Sequence, residues 1–272
     1  MAYYVDVHTH LTHPEFQDDT QAVIERAEKK GLRAIVVNGL EPQSNRQILK
    51  LSKQYPIVKA ALGIYPIEAV NEILPPDFKL PLQRFSVRQE IDFIADLARA
   101  GELIAIGECG MDGYHLDPHT FPRQEEVFIA LLSIAQKNDI PVIVHSRKCE
   151  TRILEILAHY KVRKANLHCY TGKIKAAVQA SETYGWCFSI PANIARVQSF
   201  QLLAAKLPEE SLLTETDAPY LSPQPGTRNE PAHVCQTIEQ IAGLRGWQPD
   251  EAKEKVWKNY ERLFMGKSAS PP

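Results

Sequence analysis

His8 and His10 stand two residues apart in the run Val5-Asp6-Val7-His8-Thr9-His10-Leu11. Side chains on a strand alternate faces, so the two imidazoles share one face and can aim at one cation. An isolated pair of this kind can equally be two hydrogen-bonded histidines at a strand end. Other polar groups repeat the same placement. Glu108 follows the apolar run Leu103–Gly107, His145 ends Val142–His145, His168 ends Ala165–His168, and Asp217 closes Leu212–Asp217. Any one of them alone reads as a surface residue, but scattered surface polars have no reason to share one register. Imidazole mixed with carboxylate suits Zn²⁺, Mn²⁺ or Fe²⁺, and a carboxylate-rich half-site with waters accepts Mg²⁺. Cys109 and Cys169 each adjoin a candidate ligand. On an extended strand they should point away from the metal.

The elements that must hold these groups are short strands separated by helices. The strands are expected at Tyr3–Val7, Arg33–Asn38, Val58–Gly63, Leu103–Gly107, Val142–His145, Ala165–His168, Trp186–Ile190 and from Leu212 to Thr214. Helical patterns lie between them, including Arg46–Gln54, Val87–Arg99, Arg123–Asn138 and Ile174–Tyr184, and two more follow at His233–Gly243 and Pro249–Phe264. Parallel neighbours need such crossovers, and eight units fit a TIM-type (β/α)8 barrel as a single domain. An open doubly wound sheet is the rival, but no G-x-G-x-x-G follows any strand. In a barrel, chemistry sits at the C-terminal ends of the strands, where all six candidate groups fall. The connection Ile64–Ser86 is long and carries Pro66, Pro75, Pro76 and Pro81, which predicts either a functional lid or disorder on that rim. The domain is expected over residues 1–265, with 266–272 as a disordered tail.

The 272 residues are 44% hydrophobic and 24% charged, with a net charge of -2. That is a globular chain with no global positive field to draw in nucleic acid. A polyanionic substrate would need local cations or metal. The five cysteines are odd in number and show no C-x-x-C spacing, so they read as thiols in a reducing compartment. With no signal-peptide pattern and no bilayer-length apolar stretch, a cytoplasmic protein without a membrane partner is expected.

The combined pattern resembles the TatD family of metal-dependent deoxyribonucleases. It rests on His8-x-His10, Gly107-Glu108 with Asp112, Val144-His145-Ser146-Arg147 and His168-Cys169-Tyr170-Thr171-Gly172. Glu215-Thr216-Asp217-Ala218-Pro219-Tyr220-Leu221 and Arg228-Asn229-Glu230-Pro231 complete it, and the match runs from about Val5 to Phe264. The resemblance implies an amidohydrolase-type barrel with two divalent metal ions (Zn, Mn, Mg or Fe) and hydrolysis of nucleic-acid phosphodiesters. By motif, His8 and His10 would hold one metal, His145 and His168 the other, and Glu108 would bridge. Asp217 would bind the first metal and the attacking water. One position departs from the family. Where members commonly carry histidine in a Gly-hydrophobic-His-Pro phrase, this chain has Gly63-Ile64-Tyr65-Pro66. Tyrosine can donate a hydrogen bond, but it cannot serve as an imidazolium near neutral pH.

Asp217 is the first candidate for general base. Glu215 is the second, with orientation of a ligand histidine as its alternative role. Tyr65, Arg147, Tyr170 and Arg228 are candidate substrate contacts. Lys173, Tyr114 and Tyr220 lie on the same rim, either as further contacts or as surface and packing residues. His13, His115, His119, His159 and His233 read as surface histidines. The expected substrate is a nucleic-acid end, single-stranded DNA above all, cleaved in an exonuclease-like way. Two other classes fit the residues: an amidohydrolase-type enzyme for a small ester, amide or phosphoester, and a non-catalytic barrel protein. The intact set of six ligands weighs against the last.

Overall fold

The computed structural model describes residues 2–75, 77–80 and 84–266. Pro76, Pro81 and the tail beyond Gly266 lie outside the described residues. Eight strands run in sequence order around one sheet: β1 Tyr4–Thr9, β2 Leu32–Asn38, β3 Val58–Leu62, β4 Ala105–Asp112, β5 Val142–Arg147, β6 Ala165–His168, β7 Cys187–Ile190 and β8 Leu212–Thr214. Every neighbouring pair from β1 to β8 is parallel. The ring meets between β8 and β1, where Thr214 Oγ1 donates to Val5 O at 2.8 Å, Asp217 N to His8 O at 2.9 Å and His10 N to Ala218 O at 2.8 Å. The fold is the expected (β/α)8 barrel.

Among the described residues ten α-helices link and flank the strands: α1 Thr20–Lys29, α2 Pro42–Gln54, α3 Pro66–Ala69, α4 Val87–Arg99, α5 Phe121–Lys137, α6 Glu150–His159, α7 Ile174–Tyr184, α8 Gln198–Lys206, α9 Val234–Arg245 and α10 Pro249–Phe264. Their ends follow local chemistry. The Glu41 side chain accepts from Ser44 N at 2.8 Å, and Pro42 fills the first turn, so α2 starts earlier than its apolar periodicity implied. Gly185 takes the left-handed conformation (φ 72°) that ends α7.

Alternation along the strands builds two tiers. Val7, Val36, Ala61, Ala105, Ile143, Cys187 and Leu213 come from around the ring into one buried cluster, joined by Val256 and Tyr260 of α10. Two residues further along three of those strands stand His145, Ser189 and Glu215. On those three strands apolar packing lies below the polar rim.

The strand-four expectation was too short. β4 runs on to Asp112 and carries Glu108 within it. The described part of the connection after β3 carries regular structure and packing. It opens with α3, and Ile67, Val70 and Leu74 pack against Leu116 from the loop after β4. Arg84 donates to Leu74 O at 2.7 Å and ties the far end down.

Candidate metal centre

Two sets of donor atoms converge on opposite sides of one carboxylate. In the first, His8 Nε2 and His10 Nε2 are 3.2 Å apart. Each lies 3.4 Å from Glu108 Oε2, and they stand 3.5 and 3.4 Å from Asp217 Oδ1. In the second, His145 Nδ1 and His168 Nε2 each lie 2.9 Å from Glu108 Oε1 and 3.3 Å from each other. Ligand bonds of about 2.0–2.1 Å in a tetrahedral arrangement put ligand atoms about 3.3 Å apart. The five distances in the first set match such edges. The second set supplies three donors and leaves an open side. These residues fit divalent metal ions, with Glu108 offering one oxygen to each set.

Two of the four remaining ring nitrogens are held from behind, while His8 Nδ1 and His168 Nδ1 are buried without a hydrogen-bond partner. His10 Nδ1 meets Asn38 O at 3.1 Å, and His145 Nε2 meets Asp112 Oδ2 at 3.1 Å. Such partners fix the ring and the tautomer of a ligand histidine. Glu215 is fully buried behind His168. Its Oε1 accepts from Cys169 N at 2.9 Å, its Oε2 accepts from Ser189 Oγ, and His168 Nδ1 stands 3.8 Å away. Enclosed in this way, Glu215 faces His168 Nδ1 beyond hydrogen-bond distance and does not line the cleft. Beneath the first set, Asp6 accepts from His8 N at 3.2 Å and Thr216 N at 3.0 Å, and from the Thr216 hydroxyl. Burial pushes the Asp6 carboxyl up to about 8 against those hydrogen bonds.

The charges of the cluster are strongly coupled. Burial raises the Glu108 carboxyl, but the charges of His168 and His8 and hydrogen bonds from His145 and His168 outweigh it and hold it well below the usual range. Burial opposes protonation of His145 and His168 as well. Asp112 and Glu108 nevertheless raise His145, and Glu108 with Glu215 raises His168 well above the ordinary value. His8 goes the other way, down to about 4, because it is buried and stacked on His168 with ring centroids 3.8 Å apart. The backbone also crowds here. A Cβ at Gly63 would lie 2.3 Å from Glu108 O, so only glycine lets β3 pass the bridging residue so closely.

The site opens into a cleft of about 650 Å³. It is lined by His10, Glu108, His145, His168 and Asp217, by apolar Leu40, Ile67, Leu80 and Phe200, and by Tyr65, Tyr220, Ser146 and Arg147. The Arg147 guanidinium lies 3.9 Å over the Tyr114 ring, leaving its charge at the rim. Tyr65 packs edge-on to His145 with centroids 4.9 Å apart, and its hydroxyl is 3.5 Å from Asp112 Oδ2. Burial and the nearby carboxylates of Glu108 and Asp112 push the Tyr65 hydroxyl upward, so it keeps its proton.

Three sequence expectations are corrected. Tyr170 is only 1% exposed and packs on Phe188, so it offers no stacking face. Arg228 lies outside the cleft. Its guanidinium donates to Asp19 at 2.9 and 2.6 Å and packs over Phe16, so its charge is already paired. Cys169 does not turn away: with φ at 45° it has left the extended geometry and lines the cleft. Cys109 does stay in the core. Lys173 precedes α7 on the surface, outside the cleft. Sequence reasoning gave no role to Asp6, Asp112 or Ser189 and left His115 on the surface. Asp112 is named with the motif, and its role follows once β4 is extended, since it then shares a strand face with Glu108.

Converging imidazoles and carboxylates at the C-terminal rim of a (β/α)8 barrel define a metal-dependent hydrolase. The model of the family TatD related DNase matches residues 5–265, and the chain belongs to that family. It is 33% identical to a metal-dependent hydrolase of Methanocaldococcus jannaschii, covering 96% of each chain. It is 32% identical to a 3'-5' ssDNA/RNA exonuclease TatD of Salmonella typhimurium, covering 95% of this chain and 98% of that one. The crystal structure of YJJV, a TatD homologue from Escherichia coli, superposes with a TM-score of 0.83 at 26% identity, covering 96% of this chain and 98% of that chain.

Proposed function

We propose that the protein is an exonuclease that removes nucleotides from the end of a single-stranded nucleic acid, with two divalent ions at its centre. The observation that carries this reading is Glu108, which turns one oxygen to each of two donor sets. His8, His10 and Asp217 would hold one ion, His145 and His168 the other, and zinc, manganese, magnesium and iron all suit these donors. Such ions, when bound, polarise a phosphoryl group and make water a nucleophile at neutral pH. Asp217 faces both the first set and the cleft, which makes its carboxylate the acceptor for the water's proton. Glu215, sealed behind His168, orients that ring. Arg147 meets a phosphate, and the apolar lining of the cleft suits a base better than a second phosphate.

A chain end fits this geometry. Among the described residues Arg147 is the only lysine or arginine lining the cleft, and with a net charge of -2 this suits a chain end better than a long duplex. The Salmonella relative's name states 3'-5' exonuclease action on ssDNA and RNA, which supports the same reading here. No helix among the described residues is long and apolar enough to cross a membrane. We place the enzyme in the cytoplasm, where its free thiols would stay reduced. The test is hydrolysis by the metal-reconstituted protein of 5′- and 3′-labelled single strands, alongside small chromogenic esters. Stepwise shortening from one end supports the proposal. Efficient ester turnover with intact strands would replace it with a small-molecule hydrolase.

A further inference from the structure

His115 follows β4 and lines the cleft, with its side chain 31% exposed. The Asp112 carboxylate clamps it twice. Asp112 Oδ1 accepts from His115 N and from Tyr114 N, each at 2.7 Å, and Asp112 Oδ2 lies 3.0 Å from His115 Nδ1. A carboxylate on one ring nitrogen fixes the imidazole and leaves the other to exchange a proton with whatever occupies the cleft. Asp112 holds a second imidazole at the same time, His145 at Nε2. One buried carboxylate therefore sets His115 in a fixed relation to the ligand cluster.

Its place on the ring matters. Strand order runs unbroken from β1 to β8, so β4 and β8 face each other across the barrel. Asp217 follows β8, and His115 follows β4. A displacement at phosphorus needs the entering and departing oxygens in line, on opposite sides. From these positions we infer that His115 is the proton donor to the leaving oxygen, opposite Asp217 on the side of attack. The inference rests on the exonuclease reading above. The bond from phosphorus to the leaving oxygen breaks as that from the water oxygen forms. Asp217 takes the water's proton, the leaving oxygen takes the proton from His115 Nε2, and exchange with solvent restores both groups. Tyr65, whose hydroxyl also lies beside Asp112, keeps its proton and shapes the cleft.

The test compares two phosphodiesters of thymidine 5′-phosphate in the zinc-loaded protein: the dinucleotide, whose sugar alkoxide needs a proton to leave, and the 4-nitrophenyl ester, whose phenoxide does not. His115→Gln should lose about 10²–10⁴-fold in kcat on the dinucleotide and less than about tenfold on the nitrophenyl ester. Imidazole should restore His115→Ala on the dinucleotide alone. In the zinc-loaded parent, thymidine 5′-monophosphate should shift the His115 Nε2 resonance and leave Nδ1 in place. Tyr65→Phe should lose equally on both substrates. Equal losses for His115→Gln on both substrates, or an unmoved Nε2 resonance, would overturn the role of His115 while the exonuclease reading stands. A leaving-group-dependent loss in Tyr65→Phe alone would move the donor to Tyr65. A parent protein that cleaves neither diester overturns both inferences together.

Discussion

At the scale of single residues, Asp217 and the ligand histidines behave differently from ordinary surface groups. Burial would raise the Asp217 carboxyl, but the hydrogen bond from His10 and the charges of His8 and His168 lower it. It is thus an anion, and Asp217→Asn keeps its shape while removing the charge. We expect kcat to fall by about 10²–10⁴-fold with a much smaller change in KM. Bound metal must be measured in the same samples. A metal-replete variant with near-normal kcat would exclude Asp217 as the base. The histidines set a pH dependence. In the metal-free protein Glu108 raises His168 and, with Asp112, raises His145, each against burial. The stability these protons confer is full below the ordinary histidine value and is lost as pH rises through the raised values. Metal needs the same nitrogens unprotonated, so affinity should climb with pH through that alkaline-shifted window, with protons released on binding. Calorimetric titration in buffers of different ionisation enthalpy reads this directly. Proton uptake, or affinity flat from pH 6 to 9, would show that the histidines are already free.

The elements place these residues through close backbone packing. Gly63→Ala adds a methyl that would sit 2.3 Å from Glu108 O and 2.6 Å from Glu108 N, so the end of β4 must shift. We expect the variant to keep its helical circular dichroism and to bind metal at least tenfold more weakly, roughly the lower bound for a disturbed ligand support. Normal metal affinity would show that β3 yields instead. The same packing explains what could be read without a structure. The β-α rhythm and the polar group after each strand are local patterns, so the barrel and its eight strands were legible, as was the gathering of His8, His10, Glu108, His145, His168 and Asp217 at one rim. Strand ends were less so: β4 continues past Gly107 because its pairing with β5 holds Gly110 beside His145 and Asp112 beside Arg147. What contacts at long range decide was not legible. Tyr170 and Arg228 look like available rim groups until Phe188 and Asp19 are seen to take them up. His115 has no strand register at all, and only the turn after Asp112 brings it back to the cleft.

For the whole molecule, apolar packing lies below the polar rim, so fold and metal should separate. Chelation should abolish turnover and leave far-ultraviolet circular dichroism unchanged. Loss of the fold would mean that the metal sites, not the apolar packing, hold the ring together. Net charge sets the second expectation. A protein at -2 has no general attraction for a polyanion, and among the described residues Arg147 is the only lysine or arginine lining the cleft. Binding of a short fluorescent single strand to metal-loaded Asp217→Asn should weaken as salt rises, because each phosphate contact releases counterions. The slope should be shallow. Adding Arg147→Ala should flatten it by roughly one log–log unit or less, the loss of one phosphate contact. Arg228 is the contrast: its guanidinium is spent on Asp19, linking the loop after β8 to the start of α1. Arg228→Ala should lower the melting temperature and leave the salt slope where it was. If Arg228 alters the slope and Arg147 does not, the nucleic acid crosses the rim over the β8–β1 side rather than past β5. If neither does and hydrolysis persists, the metal ions themselves supply the phosphate attraction.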